Sequence, residues 1–158
     1  MLIVDYSPEY GTELVRMWRD SFEQAVGITD THSLVDQLRY LEEKVVPENR
    51  VQVVLEEGTS AVIAFLASTR DFISQLYVHV EHQNKGIGSA LLKIAKRDSS
   101  GSLRLFTFEA NKRAQRFYEK HGFRVVRCGF EPTWQLADIE YEWRRPPSFT
   151  ADRQGENA

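Results

Sequence analysis

HQNKGIGSALL (residues 82–92) sets two glycines one residue apart at the start of an apolar helical pattern, just after the alternating strand pattern SQLYVHV (74–80). Glycine adopts backbone angles that other residues avoid and lets a ligand approach the main chain closely. The first N–H groups of a helix have no intrahelical partner and carry the positive end of its dipole. This stretch therefore predicts a helix start that binds a pyrophosphate, although a tight turn that merely needs glycine is the simpler alternative.

Two better-known glycine motifs do not fit the same residues. A nucleotide P-loop requires G-x-x-x-x-G-K-[ST], and that spacing is absent. A dinucleotide fingerprint requires G-x-G-x-x-G/A directly after a strand, whereas Leu91 occupies the third small position and polar residues separate the strand from Gly86. The helix-start interpretation is the one that the flanking residues favour.

Outward from this segment, hydrophobic periodicity predicts the order strand, two helices, three strands, helix, strand, helix, two strands. Ser7 and Ser33 are the expected caps of the first two helices, the second of which ends before Pro47, and Asn111 and Gly122 bound the last helix. The predicted strands are 1–6, 51–55, 61–68, 74–80, 103–109, 123–128 and 137–143. The early strands suit an antiparallel meander and residues 74–108 a parallel crossover, which together predict an α/β fold with a single mixed sheet.

Composition limits the class of protein. The chain has 158 residues and a net charge of −3, which gives no general attraction to nucleic acid or anionic membrane. The single cysteine, Cys128, cannot form an internal disulfide, and no apolar run is long enough to span a bilayer. The N-terminus has no secretory pattern. We expect one cytoplasmic domain over residues 1–145 and a polar C-terminal tail over residues 146–158.

Two segments resemble those of a known family. LYVHVEHQNKGIGSALL (76–92) resembles the coenzyme A motif of the GNAT superfamily of acyl-CoA-dependent N-acetyltransferases, whose loop reads [QR]-x-x-G-x-[GA]. FEANKRAQRFYEKHGF (108–123) is similar to the superfamily's N-x-x-A-x-x-F-Y-x-x-x-G-F segment. The one departure is Val80, where many members have proline. Both segments fall in the right order on the predicted elements.

The resemblance implies acetyl-CoA as co-substrate and a sheet, mostly antiparallel, with a central splayed pair of parallel strands. The backbone of the splayed strand would bind the pantetheine arm beside Val78 and Val80. The full set of implied cofactor-binding residues is Val78, Val80, Gln83, Asn84, Lys85, Gly86, Ile87, Gly88, Ser89, Ala90, Asn111, Ala114, Phe117 and Tyr118. Some basic side chains of the last helix, Lys112, Arg113 and Arg116, would meet the 3′-phosphate.

Tyr118 is the candidate general acid. It lies seven residues after Asn111, about 10 Å along the same helix face, and the resemblance implies that its hydroxyl lies near the thioester sulfur. A phenol with a reference pKa near 10 carries its proton at neutral pH and can donate it to a departing thiolate. The alternative is an ordinary buried tyrosine beside Phe117, and for Asn111 it is a plain helix cap.

The sequence does not decide which residue acts as the general base. His79 lies on the strand beside the cofactor and has a suitable reference pKa, so it is the leading candidate over Glu81 and Glu109. His79 and His82 form a His-x-x-His pattern without further ligands, and no HExxH or cysteine cluster accompanies it, so no metal is expected. No histidine lies close in sequence to Cys128, which disfavours an acyl-cysteine route.

The acceptor amine should enter opposite the cofactor. By analogy its walls are Gly27 to His32 and the loop FEPTWQL (130–136), with Tyr77 and Trp134 as apolar walls and with Asp30 or Glu131 attracting a cation. The sequence thus predicts direct acetyl transfer to a primary amine of a small molecule or a peptide amino terminus. The alternative is a non-catalytic acyl-CoA sensor. A nucleic-acid partner is disfavoured, and a homodimer is compatible with the resemblance.

Overall fold

A computed structural model of the protein describes residues 1–147, so the part of the predicted tail from residue 148 onward lies outside the described residues. The strands are β1 (Leu2–Asp5), β2 (Arg50–Leu55), β3 (Val62–Ser68), β4 (Ile73–Val78), β5 (Ser102–Phe108), β6 (Arg124–Glu131) and β7 (Leu136–Arg144). The helices are α1 (Gly11–Val26), α2 (Leu34–Tyr40), α3 (Val46–Glu48), α4 (Ile87–Asp98) and α5 (Lys112–Lys120). This order confirms the predicted α/β succession of elements.

The strands form two antiparallel sheets that meet at one point. Strands β1 to β4 pair in sequence order, and β7 lies between β5 and β6. Strands β4 and β5 run parallel and share a single bridge between Phe72 and Arg104, supported by the bond from the Arg104 amide to the Asp71 carbonyl at 3.0 Å. Beyond that bridge they separate, and the predicted splayed parallel pair is confirmed.

Two apolar clusters lie on opposite faces of the sheets. One holds α4 and α5 against the strands through Leu91, Leu105 and Tyr118, and the other holds α1 through Leu14, Trp18 and related side chains. The buried residues of α1 recur at helical spacing along one face. The helix ends at Gly27, whose φ of 80° and bond to the Glu23 carbonyl form a left-handed cap.

The predicted strand 123–128 is too short, because β6 continues to Glu131, and three other predicted boundaries are wrong. A 3-10 turn over Pro8–Tyr10 precedes α1, and the Ser7 side chain makes no cap hydrogen bond. After α2 the chain continues through a π-helical turn, Leu41–Val45, into α3, so Pro47 lies within helical structure instead of after it. The amide of Val46 bonds to Leu41 five residues back. We attribute the tolerance of proline to this wider turn, which moves the preceding carbonyls away from the regular α-helical pattern.

The third wrong boundary concerns Val80, which was predicted on the strand 74–80. Strand β4 ends at Val78, and Val80–His82 form a 3-10 turn. The His79 amide still bonds to Ile63 on β3, at 2.8 Å, but the His79 ring nitrogen Nδ1 accepts from the Glu81 amide at 3.3 Å. That side-chain cap turns the chain out of the sheet toward α4.

Candidate active site

A cleft of about 860 Å³ opens where β4 and β5 separate. One wall is Ile73–Val78 of β4, and the other is Leu105–Phe108 of β5. The beginnings of α4 and α5 close one end, and Ser21, Gln24 and Ala25 of α1 reach it from the opposite face of the sheet. Because β4 pairs only with β3 along Ile73–Val78, its other backbone edge faces this space.

The start of α4 presents main-chain amides to the cleft. Gly86 is its N-cap, with a φ of 82° that favours glycine, and Gly86, Ile87, Gly88 and Ser89 all line the cleft. A Cβ atom at Gly86 would meet no protein atom within 4 Å, so the space beside it is open. The amides of the first turn have no intrahelical partners, and this arrangement suits an anion.

Gly88 has a different reason to be glycine. A Cβ atom there would lie 3.3 Å from the Phe117 ring and 3.7 Å from Val78. Gly88 therefore lets α4, α5 and β4 pack closely, whereas the sequence analysis assigned both glycines to the approach of a ligand.

Two polar side chains of the loop before α4 form hydrogen bonds within the protein. Gln83 Nε2 donates to the Val78 carbonyl at 3.0 Å, and Asn84, in a left-handed conformation with a φ of 64°, accepts a bond from Arg113 at 2.8 Å. Both residues line the cleft. Lys85, Ala90 and Val80 do not, although the resemblance placed them at the cofactor. These bonds fix the loop relative to β4 and α5.

Helix α5 brings its predicted face to the cleft. Asn111 caps the helix by accepting from the Ala114 amide at 3.1 Å, and Gly122 follows it with a φ of 89°, as expected. Asn111, Ala114, Phe117, Tyr118 and His121 line the cleft. So do the basic residues Lys112, Arg113 and Lys120, whereas Arg116 does not.

His121 ties α5 to α4 from both ring nitrogens. Nδ1 lies 2.8 Å from the Phe117 carbonyl, and Nε2 lies 3.1 Å from the Ser89 hydroxyl. A ring protonated at Nδ1 donates to the carbonyl and accepts from the hydroxyl at Nε2. The C-terminal end of α5 is thereby held against the first turn of α4.

Tyr118 is buried, with 6% of its surface exposed, and packs between Phe117, Phe123 and Tyr141. Burial, with a smaller contribution from Tyr77, raises the pKa of its phenol. Burial likewise raises the pKa of Tyr77 to about 12. Since both side chains line the cleft and both phenols keep their protons at neutral pH, each can act there as a hydrogen-bond donor.

The two histidines near the end of β4 differ in their access to the cleft. His82 lines it, and its Nε2 lies 3.4 Å from a carboxylate oxygen of Glu56. His79 does not line it and caps the turn instead. His79 is the candidate predicted from sequence because the strand pattern continues to residue 80.

The acidic residues predicted for the acceptor side are engaged in their own loops. Asp30 accepts from the His32 amide at 2.9 Å, its carboxylate lies 2.8 Å from His32 Nδ1, and Arg19 lies 3.8 Å away. Glu131 accepts from the Trp134 amide at 2.6 Å. The Trp134 ring packs on Phe22 at 4.8 Å. Trp134 thus joins the core cluster around α1, and neither carboxylate lines the cleft.

Several polar residues of the cleft were not predicted from the sequence, among them Ser21, Gln24 and Thr107. Ser21 and Thr107 are buried polar residues among apolar ones, Ser21 on the buried face of helix α1 and Thr107 at an alternating inward position of β5. That contrast is the signal that could have found them.

Comparison with known proteins gives the same architecture. The family model described as "Acetyltransferase (GNAT) domain" matches residues 45–125. No curated protein matches the sequence. Apo-form YjaB from Escherichia coli is similar in structure with a TM-score of 0.73, 19% identity and coverage of 92% of this chain and 100% of that chain.

Two similar structures hold the cofactor. The PaiA N-acetyltransferase from Thermoplasma acidophilum, in complex with coenzyme A, has a TM-score of 0.70 and 23% identity, covering 91% of this chain and 99% of its own. YncA from Salmonella typhimurium, with acetyl-CoA, has a TM-score of 0.67 and 18% identity, covering 94% and 95%. At these identities the likeness establishes the fold.

The described residues 1–147 offer no group of three or more His, Cys, Asp or Glu side chains arranged to hold a metal ion. Over the same residues, none of the helices is long and apolar enough to cross a membrane.

Proposed function

This chain belongs to the GNAT acetyltransferase family, and we propose that it transfers an acetyl group from acetyl-CoA directly to a primary amine of a small molecule or a peptide amino terminus. The observation that carries the proposal is the cleft between β4 and β5, which joins a helix start with free amides to a buried tyrosine. Both are needed, because the first binds an anion and the second can donate a proton.

The residues present fit acetyl-CoA. The amides of Ile87, Gly88 and Ser89 would hold the pyrophosphate, and the open space beside Gly86 leaves room for it. The free edge of β4 would pair with the amides of the pantetheine arm, as an added strand does. Lys112, Arg113 and Lys120 make this end of the cleft basic.

Bound acetyl-CoA supplies an activated acyl group as a thioester. As the amine nitrogen forms its bond to the acyl carbon, the bond from that carbon to sulfur breaks and the sulfur leaves as a thiolate. Tyr118 holds a proton in the cleft and donates it to this sulfur, so that the products are an amide and free coenzyme A. The protein contributes the placement of both reactants and this proton.

The amine must lose a proton to attack and to form a neutral amide. We propose His82, facing Glu56, as the acceptor of that proton, either directly or through water. Its position in the cleft supports it over His79, the candidate from sequence.

Replacing His79 with glutamine is expected to leave turnover close to wild type, while His82→Gln loses a large part of the roughly 10²–10⁴-fold contribution of general acid–base catalysis. The two variants remove the same functional group three residues apart, so each controls for the other. Steady-state rates with acetyl-CoA and a reactive amine measure the difference. A large loss in His79→Gln with little loss in His82→Gln would restore the assignment from sequence.

The dependence of turnover on pH offers a second test. Because burial raises the pKa of Tyr118 above its ordinary value of 10.0, the protonated form persists through pH 10. We expect no fall in turnover between pH 7 and about pH 10 that is due to this group. A fall with an apparent pKa well below 10 that disappears in Tyr118→Phe would show that the phenol loses its proton in this range and would contradict the raised pKa of Tyr118.

Release of free thiol from acetyl-CoA, measured across a panel of primary amines, tests the function itself. The transferase hypothesis expects amine-dependent thiol release. Tight binding of acetyl-CoA without turnover of any amine would favour the alternative, a non-catalytic acyl-CoA sensor.

A further inference from the structure

Thr107 is a buried polar residue in the β5 wall of the cleft. It is 7% exposed, and its hydroxyl oxygen has no hydrogen-bond partner among residues 1–147. The inward residues before it on the same strand, Leu103 and Leu105, are apolar. Thr107 itself lines the cleft.

An unpartnered buried hydroxyl lowers the stability of a fold, because it loses its hydrogen bonds to water and gains none in exchange. Valine has nearly the same shape and would fill this position without that loss. Folding alone therefore gives no reason for a threonine here, and a ligand that enters the cleft can supply the missing partner.

Strand register places Thr107 on the same face of the sheet as Tyr118. Leu105 pairs with Tyr141, on whose ring Tyr118 packs with 6.4 Å between ring centroids. Thr107 is two residues further along β5, so its side chain lies on the same face and about 7 Å from that of Leu105. Leu91 and the other inward residues of α4 pack on this face too.

We propose that the Thr107 hydroxyl donates a hydrogen bond to the thioester group of the bound acyl donor and so positions it beside Tyr118. The inference rests on the proposed function. Phe108, the next residue, turns to the other face and packs on Phe22 of α1. Thr107 is thus on the side of α4 and α5, where the proposed cofactor site lies, and not on the α1 side, where the amine is expected to enter.

The test compares Thr107→Val, which removes the hydroxyl, with Thr107→Ser, which keeps it. Calorimetric titration gives the dissociation constants for acetyl-CoA and for desulfo-CoA, which has the nucleotide and both pantetheine amides but no thioester. Thermal unfolding without ligand gives the stability of each variant.

We expect Thr107→Val to be at least as stable as wild type and to bind acetyl-CoA about three- to tenfold more weakly. Its affinity for desulfo-CoA should be unchanged, and Thr107→Ser should restore the affinity for acetyl-CoA. Unchanged affinity for acetyl-CoA in the valine variant, an equal loss for both ligands, or a lower unfolding temperature would each overturn the inference. A different result would show that the proposed function itself is wrong: wild-type protein that binds neither acetyl-CoA nor desulfo-CoA.

Discussion

We expect Tyr118→Phe protein to turn over about 10²–10⁴-fold more slowly than wild type, with nearly unchanged affinity for acetyl-CoA. The substitution removes only the phenolic oxygen. The ring contacts with Phe117, Phe123 and Tyr141 remain, so no cavity forms. The thiolate must then leave without the donated proton. Measurement of kcat alongside the dissociation constant of acetyl-CoA separates the loss of a proton donor from a loss of binding.

Tyr141→Phe is the matched control for that variant. Tyr141 is fully buried in the same cluster, but its hydroxyl donates to a Glu119 carboxylate oxygen at 2.6 Å and does not line the cleft. Its loss should lower the unfolding temperature and leave kcat near wild type. If Tyr118→Phe instead keeps wild-type turnover, Tyr118 is a structural tyrosine and the assignment of the general acid is wrong.

Gly86→Val should abolish most of the binding of acetyl-CoA, with an affinity at least about tenfold lower than wild type. Two effects act together. A left-handed conformation costs an ordinary residue roughly 1–2 kcal/mol, and a branched side chain enters the open space that the pyrophosphate would occupy. Titration with coenzyme A measures the loss of affinity, and circular dichroism checks that the variant is folded.

Gly58→Val separates the two effects. Gly58 has a φ of 88° and no protein atom within 4 Å of a Cβ position, as Gly86 does, but it lies in the turn between β2 and β3 and does not line the cleft. The Gly58→Val protein should lose stability to a similar extent as Gly86→Val and keep its affinity for coenzyme A. Equal affinity in folded Gly86→Val and wild type would contradict the anion site at the start of α4.

Much of the site follows from local sequence signals. The beginning of α4 at Gly86, the cap at Asn111 and the left-handed end at Gly122 are encoded by the residues themselves, because only a few side chains suit those backbone angles. The face of α5 that carries Phe117 and Tyr118 to the cleft follows from the helical spacing of its apolar residues. These features needed no knowledge of distant contacts.

The errors occur where a specific side-chain contact, either with a near neighbour in the chain or with a distant residue, decides the outcome. Val80 has a strong preference for strands, but the cap that His79 provides for Glu81 ends β4 two residues earlier. Asp30 and Glu131 have the charge to attract a cation, but His32 and the Trp134 amide already bond to them. Gly88 fits the motif of a ligand site, and only the position of Phe117 reveals its role in packing.

The sequence by itself determined the order of elements, the start of α4 and the helix face that carries Tyr118, since turn residues and hydrophobic period act over a few positions. The tertiary structure alone decided that His82 rather than His79 lines the cleft, and that the Thr107 hydroxyl is buried without a partner among residues 1–147. The reason is physical. Burial and hydrogen bonding depend on which segments contact each other in the folded protein, and a short-range sequence pattern does not determine those contacts.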